Sequence, residues 1–217
     1  MSAFTVEEQN QVLDRLIESR RSIRNFRSES PPRELIENVL QAGLLGPYAR
    51  LTITREDFRH FAVIPRESEM TSRVASLIKR RSAAAHDELE AGMKQNEFLR
   101  RRGSPYLERL KATSDQGPAG LGKAPYYIVV AEQKGVPEVA ELSIAHCLEN
   151  MWLKATALGL AFQLLSITER MAEDREFCEI VGISFGEYAL DGCLVGYPDS
   201  SPAPTKRPLL SDVTRWL

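Results

Sequence analysis

LIESRRSIRNFRSESPPRELIENVLQAGLLGP, residues 16–47, carries two helix signals on either side of a basic turn. Leading into it, Val12, Leu13, Leu16 and Ile17 recur at helical spacing, which predicts an amphipathic helix over Val6–Ser22. Further on, Ser30 precedes Pro31, Pro32 and Glu34, the composition of a helix start with Ser30 as the expected N-cap. Leu35, Ile36, Val39, Leu40 and Leu44 form the apolar stripe of that second helix, and Gly46-Pro47 ends it. Between the two, Arg20-Arg21-Ser22-Ile23-Arg24 places three guanidiniums and a hydroxyl where a helix gives way to a turn. Guanidinium forks and a hydroxyl suit a phosphate, and a third cation suits a second anionic group. The same cations also suit the carbonyl end of a helix, a contribution of roughly 0.3–1 kcal/mol. Spacing alone leaves both readings open.

Working outward, Phe58–Ile64 (FRHFAVI) reads as a short strand. From Glu67 to about Ala112 the chain is charged, with apolar residues at helical spacing, and two exposed helices are expected there, an excursion from the main body. Tyr126–Ala131 (YYIVVA) is a buried strand. Leu142–Leu158 is apolar almost all round, broken by His146, Glu149, Asn150 and Lys154, so it belongs in the middle of a domain, with Gly159 as its C-cap. Ala161–Ile167 returns as a strand, Arg170–Val181 as an amphipathic helix and Tyr188–Tyr197 as a last strand. The tail is Pro-rich and then apolar, and Leu209, Leu210, Val213 and Trp216 equip it to dock.

At 217 residues the expectation is one domain spanning 1–217, with the helical excursion at about 67–112. Lys plus Arg number 28 against 30 Asp plus Glu, a formal charge of −2 that argues against global nucleic-acid binding. Cys147, Cys178 and Cys193 are an odd number, far apart, so neither a disulfide framework nor a zinc ribbon is supported. The polar, acidic start lacks the apolar core of a signal peptide, and no apolar run approaches the roughly 20 residues that span a bilayer. The expectation is a soluble cytoplasmic protein with no membrane partner.

Two motif matches fail on context. Gly182-Ile183-Ser184-Phe185-Gly186 fits the nucleophile elbow, but a helix precedes it, a strand follows, and His60, His86 and His146 all lie upstream. Gly117–Lys123 (GPAGLGK) fits a phosphate loop except that Ala124 stands where the magnesium-binding hydroxyl belongs, and the loop leads into a strand. Lys79-Arg80-Arg81 and Arg100-Arg101-Arg102 sit amid acids on charged helices and read as solvated faces.

The stretch 16–47 resembles the amino-terminal signature of the FMN-dependent nitroreductases: a basic R-R-S-x-R-x-F turn, a helix with a proline-rich start, and a small-Pro ending. The resemblance continues in KAPYYIVVA, in LENMWLKATALGLAFQLLSI and in LVGYPDSSPAPTKRPLLSDVTRW, and covers the chain except roughly 67–122. It implies an α+β fold, a three-layer sandwich with a central mixed or antiparallel sheet flanked by helices, and a homodimer holding FMN at its interface. Arg20 and Ser22 match positions at the flavin phosphate or ribityl chain, with Arg21 beside them. Arg24 matches the cation near the pyrimidine edge. Arg207 matches the tail residue completing the phosphate site, with Lys206 adjacent. Ser166 and Ile167 fall where the backbone approaches flavin N5. Pro47 and Tyr48, at the small-Pro end, complete the candidate cofactor-binding set.

The chain departs from the family after Pro47. Tyr48 replaces a Ser, and neither the Asn nor the Gln that hydrogen-bond the flavin ring has a counterpart; Arg50 and Arg55 are the nearby candidates for a substitute donor. What the resemblance implies is electron transfer from NADH or NADPH through FMN to a nitroaromatic, quinone or related small acceptor, by ping-pong kinetics. No protein nucleophile and no metal is required, because the flavin carries the chemistry. The alternative is a family member that binds FMN without turnover, acting as a flavin-binding or interaction protein.

Overall fold

β2 (Tyr126–Gln133) runs through the centre of a four-stranded sheet. The computed structural model describes residues 4–48, 58–200 and 202–217. The other strands are β1 (Arg59–Pro65), β3 (Ala161–Leu164) and β4 (Tyr188–Gly196), in the order β1-β2-β4-β3 with every neighbouring pair antiparallel.

Alternation along the central strands separates two cores. Ile128 and Val130 of β2, with Ala189, Cys193 and Val195 of β4, meet α2 (Arg33–Leu44) and α6 (Ala140–Ala157) on one face. Tyr127, Val129 and Ala131, with Leu190 and Leu194, meet α3 (Glu69–Gln95) and α7 (Arg175–Val181) on the other. Helices on both faces of an antiparallel sheet make the expected α+β sandwich. The nearly all-apolar reading of α6 is explained by its place: Ile144, Cys147, Leu148, Met151, Trp152 and Ala155 are all buried. At Gly43 of α2 a Cβ would sit 2.7 Å from Met151 Cγ, so only glycine lets α2 lie this close to α6.

Several boundaries differ from the sequence-based expectation. α1 (Val6–Ser19) stops three residues short of Ser22, because Arg20 turns to an extended conformation (ψ 127°). α2 has Pro32 at its N-cap, not Ser30, and no side chain caps it. The run 161–167 is a strand only to Leu164; a 3-10 helix, Ser166–Glu173, follows. Asp174 then accepts a bond from the Phe177 N–H at 3.0 Å and starts α7 afresh, which divides the helix expected over 170–181. The charged stretch forms three helices where two were expected: α3, α4 (Glu97–Arg102) and α5 (Ser104–Gln116), parted at Asn96 and Gly103. The first half of α3 buries Val74, Leu77 and Ile78 against the sheet, so it belongs to the main core.

Two apolar surfaces face outward. α1 opens with a capping box between Thr5 and Glu8 but buries no residue. The tail, including the short α8 (Leu210–Val213), is exposed throughout, with Trp216 at 93%. Among the described residues no helix is long and apolar enough to cross a membrane.

Candidate functional site

The basic turn is fastened to the sheet by its own backbone. The Ile23 N–H donates to the Phe162 carbonyl of β3 at 3.1 Å, and the Arg27 N–H to the Tyr197 carbonyl at 2.9 Å. Phe26 pairs with Pro198 as an antiparallel bridge. From beneath, Trp152 of α6 donates its indole N–H to the Arg21 carbonyl at 3.1 Å and stacks on Phe162 with centroids 5.1 Å apart. The Arg20 guanidinium lies 4.2 Å from the Trp152 ring centroid, and its Nε is 3.4 Å from a Glu149 carboxylate oxygen. Ring and carboxylate together orient Arg20.

Over this turn the tail closes a cleft of about 630 Å³. Arg20, Arg21, Ser22, Arg24 and Arg207 all line it, together with Glu18, Glu149 and residues 202–205. Four guanidiniums against two carboxylates leave the cleft positive, and a hydroxyl stands among them. Forked donors with a hydroxyl fit a dianionic phosphate. Arg21 plays a different part: its Nη1 donates to the carbonyls of Glu18 and Arg20, so it caps α1, the second reading the spacing allowed. Arg24 and Arg207 have no ion-pair partner among the described residues.

Ser166 and Ile167 occupy the first turn of the 3-10 helix, where they line a separate cavity of about 60 Å³ beneath α5. Their position is tied down on both sides. The Leu165 N–H donates to the Gly192 carbonyl at 2.8 Å, the Thr168 hydroxyl donates to the Leu165 carbonyl at 2.6 Å, and the Tyr127 and Thr168 hydroxyls lie 2.8 Å apart. Burial pushes the Tyr127 phenol upward, so it stays neutral. A Cβ at Gly192 would come within 2.7 Å of the Thr168 hydroxyl, so the close approach requires glycine.

The remaining candidates are elsewhere. Lys206 is exposed and does not line the large cleft. Tyr48 stacks on Phe58 at 3.8 Å, and neither it nor Pro47 lines either cavity. Arg50 and Arg55 lie outside the described residues. The loops 117–123 and 182–186 are turns running into β2 and β4, as their contexts required. All three cysteines are buried; burial pushes Cys147 up to about 12 and raises Cys178 and Cys193, so the thiols stay protonated.

Sequence reading missed one supporting device. Arg59 and Glu132 face each other across β1 and β2, and both side chains are fully buried. The Arg59 Nε donates to Glu132 Oε2 at 2.8 Å, while its Nη1 donates to the carbonyls of Gly43 and Gly46 at 2.7 and 3.1 Å. The pair therefore holds the end of α2 and the start of the Pro47-Tyr48 loop. Burial raises the Glu132 carboxyl, an effect that Arg59 opposes. Only the strand register could have disclosed this partnership. Glu149 and Trp152 were readable in principle, as polar and amphipathic residues one turn apart on an otherwise apolar helix.

The sequence model of the nitroreductase family matches residues 17–197, from the basic turn to the end of β4. The chain belongs to the nitroreductase family. Solved structures share the fold. A Bacteroides fragilis nitroreductase with bound FMN is 20% identical, with 96% of this chain and 99% of that one covered, at a TM-score of 0.68. A BluB-like flavoprotein from Clostridium difficile 630 is 20% identical over 94% and 98%, at 0.69. A Desulfitobacterium hafniense nitroreductase with bound FMN is 20% identical over 96% and 98%, at 0.61. No curated protein matches the chain. In this nitroreductase-family chain the matched segment contains the basic turn, α6 and the 3-10 helix, whereas Arg207 and the exposed tail lie beyond it.

Proposed function

We propose that this chain is an FMN-dependent oxidoreductase, working as a homodimer, that takes hydride from NADH or NADPH and passes electrons to a small acceptor such as a nitroaromatic or quinone. The observation that carries this reading is the convergence of Arg20, Ser22, Arg24 and Arg207, from opposite ends of the chain, on one positive cleft. The FMN held by two of the structural relatives supports it.

In this reading Arg20, Ser22 and Arg207 grip the phosphate, and Glu149 and Trp152 hold Arg20 in place for it. Arg24 faces the N1–O2 edge of the ring, where a cation favours the reduced, anionic form. The backbone at Ser166 and Ile167 serves the N5 side. Bound FMN would supply the hydride-accepting chemistry, and the protein binds and biases it. The expected test is retention of the cofactor. Arg20→Ala and Arg207→Ala should each weaken FMN binding about tenfold or more, since each removes charge-assisted bonds to phosphate, while far-ultraviolet circular dichroism stays unchanged. Retention equal to the parent in both variants would place the phosphate elsewhere. Anaerobic mixing of the yellow protein with NADH or NADPH separates an enzyme, whose colour bleaches, from a flavin-binding protein without turnover.

Exposed apolar surfaces support the pairing of two chains. Val12, Leu13 and Ile17 of α1 are about half exposed, and Leu209, Leu210, Val213 and Trp216 of the tail are more so. Such surface is characteristic of an interface. A chain truncated before Pro202 should elute as a monomer and lose FMN. Light scattering on the eluting peak, with an absorbance scan, measures both; a yellow dimer would show that the tail is dispensable.

A further inference from the structure

A second cleft opens on the far side of Arg24. It holds about 410 Å³, within the roughly 300–1,000 Å³ usual for small-molecule sites. It shares Arg109, Thr113, Pro118 and Ala119 with the small cavity at Ser166 and Ile167, so the two spaces have a wall in common. Arg24, Arg109 and Lys123 line it, and among the described residues no Asp or Glu does.

On α3 and α5 other cations are ion-paired: Arg73 with Glu176, Arg80 with Asp174, Lys111 with Asp115. The Arg109 and Lys123 side chains have no ion pair or hydrogen bond among the described residues. Helical spacing explains the difference on α5. Arg109, Thr113 and Gln116 succeed one another along the face that lines the cleft, while Lys111 and Asp115 pair on another. Concave walls of one charge focus potential on whatever enters.

The geometry points to a recognition site for an oxyanion, a carboxylate or a phosphate, held by Arg109 and Lys123 on the molecule that exchanges electrons with the flavin. Arg109 offers a fork that an oxyanion can accept in two bonds, and Lys123 adds a point charge. A ligand anchored there directs its other end along the shared wall to Ser166 and Ile167. Neutral acceptors lack the anchor, so the site selects acids. The identity of the ligand as an electron-transfer substrate rests on the flavoenzyme reading; the binding of an oxyanion does not.

Calorimetry on the full chain tests this with 4-nitrobenzoate and its neutral counterpart 4-nitrobenzamide. The parent should bind the carboxylate at least about tenfold more tightly at low ionic strength, with the preference shrinking as salt rises. The double variant Arg109→Ala, Lys123→Ala should bind both alike and keep the parent's FMN content, because both side chains are exposed and unpartnered. NADP+ tests the other source of oxyanion. If the donor's phosphates are the occupants, the double variant loses about tenfold in NADP+ affinity even where the nitro probes bind alike to the parent. A carboxylate preference that survives in the double variant overturns the proposal. So does a parent indifferent to the carboxylate whose NADP+ affinity the double variant retains. A colourless protein that still shows a preference dependent on Arg109 and Lys123 would sink the flavin reading and leave this site standing.

Discussion

Glu132→Ala is expected to lower the unfolding free energy by about 3–5 kcal/mol, because it strands the Arg59 guanidinium in a site that water does not reach. Arg59 keeps its bonds to the Gly43 and Gly46 carbonyls, but these neutral dipoles do not compensate a full charge. Urea denaturation at neutral pH measures the loss. The double variant Arg59→Met, Glu132→Leu discriminates the cause. Replacing both partners with apolar groups removes the stranded charge, so it should recover most of the lost stability. It should not recover the hold on the α2 end, since the two carbonyls then lose their donor, a penalty of roughly 1–3 kcal/mol for unsatisfied buried groups. A single variant as stable as the parent would mean that water reaches Arg59 and that the pair contributes only as a surface pair does.

What could be read without coordinates divides along physical lines. YYIVVA, the apolar α6 and the stripe of α2 declared themselves because burial on a sheet or helix face leaves a period in the sequence. Boundaries were less legible. α1 ends where Ile23 is captured by Phe162, an event more than a hundred residues away in the chain, and no local signal at Ser19 records it. The start of α7 was visible in hindsight, because Asp174 is an N-cap residue set in the middle of an apolar-periodic run. The cleft residues Arg20, Ser22, Arg24 and Arg207 were legible through the family resemblance; composition and spacing alone had left the basic turn balanced between phosphate and helix cap. In the structure Arg21 bonds to the α1 carbonyls and also lines the cleft with Arg20, Ser22 and Arg24. Arg109 was invisible because its distinction is negative: it is the cation on α5 whose face carries no matching acid, and that depends on what α5 packs beside.

Asp191→Asn should make the protein about 2 kcal/mol more stable at pH 7.5 and leave it nearly unchanged at pH 4. Asp191 sits in β4 between Leu190 and Gly192, and burial pushes its carboxyl up from 3.8 to about 6, with Glu169 adding to the rise and the Gly192 N–H, at 2.7 Å, opposing it. An acid whose folded pKa exceeds its unfolded one binds a proton on folding. The stabilisation from that proton is complete below about pH 4 and is lost as pH climbs through about 6, so at neutral pH the native chain carries a poorly solvated carboxylate. A gap of about two pH units corresponds to roughly 3 kcal/mol, and the solvent that still reaches the residue reduces the expected gain to about 2. Asparagine keeps an oxygen for the Gly192 N–H and carries no charge. Denaturation midpoints of parent and variant, followed from pH 4 to 8, should diverge from about pH 4 to about pH 6 and run parallel above; curves parallel throughout would show that Asp191 does not titrate there. The neighbour matters as much as the magnitude: Gly192 also receives the Leu165 N–H that anchors the 3-10 helix carrying Ser166 and Ile167. Asp191 therefore titrates one residue from the carbonyl that anchors the wall on which the proposed N5 contact depends.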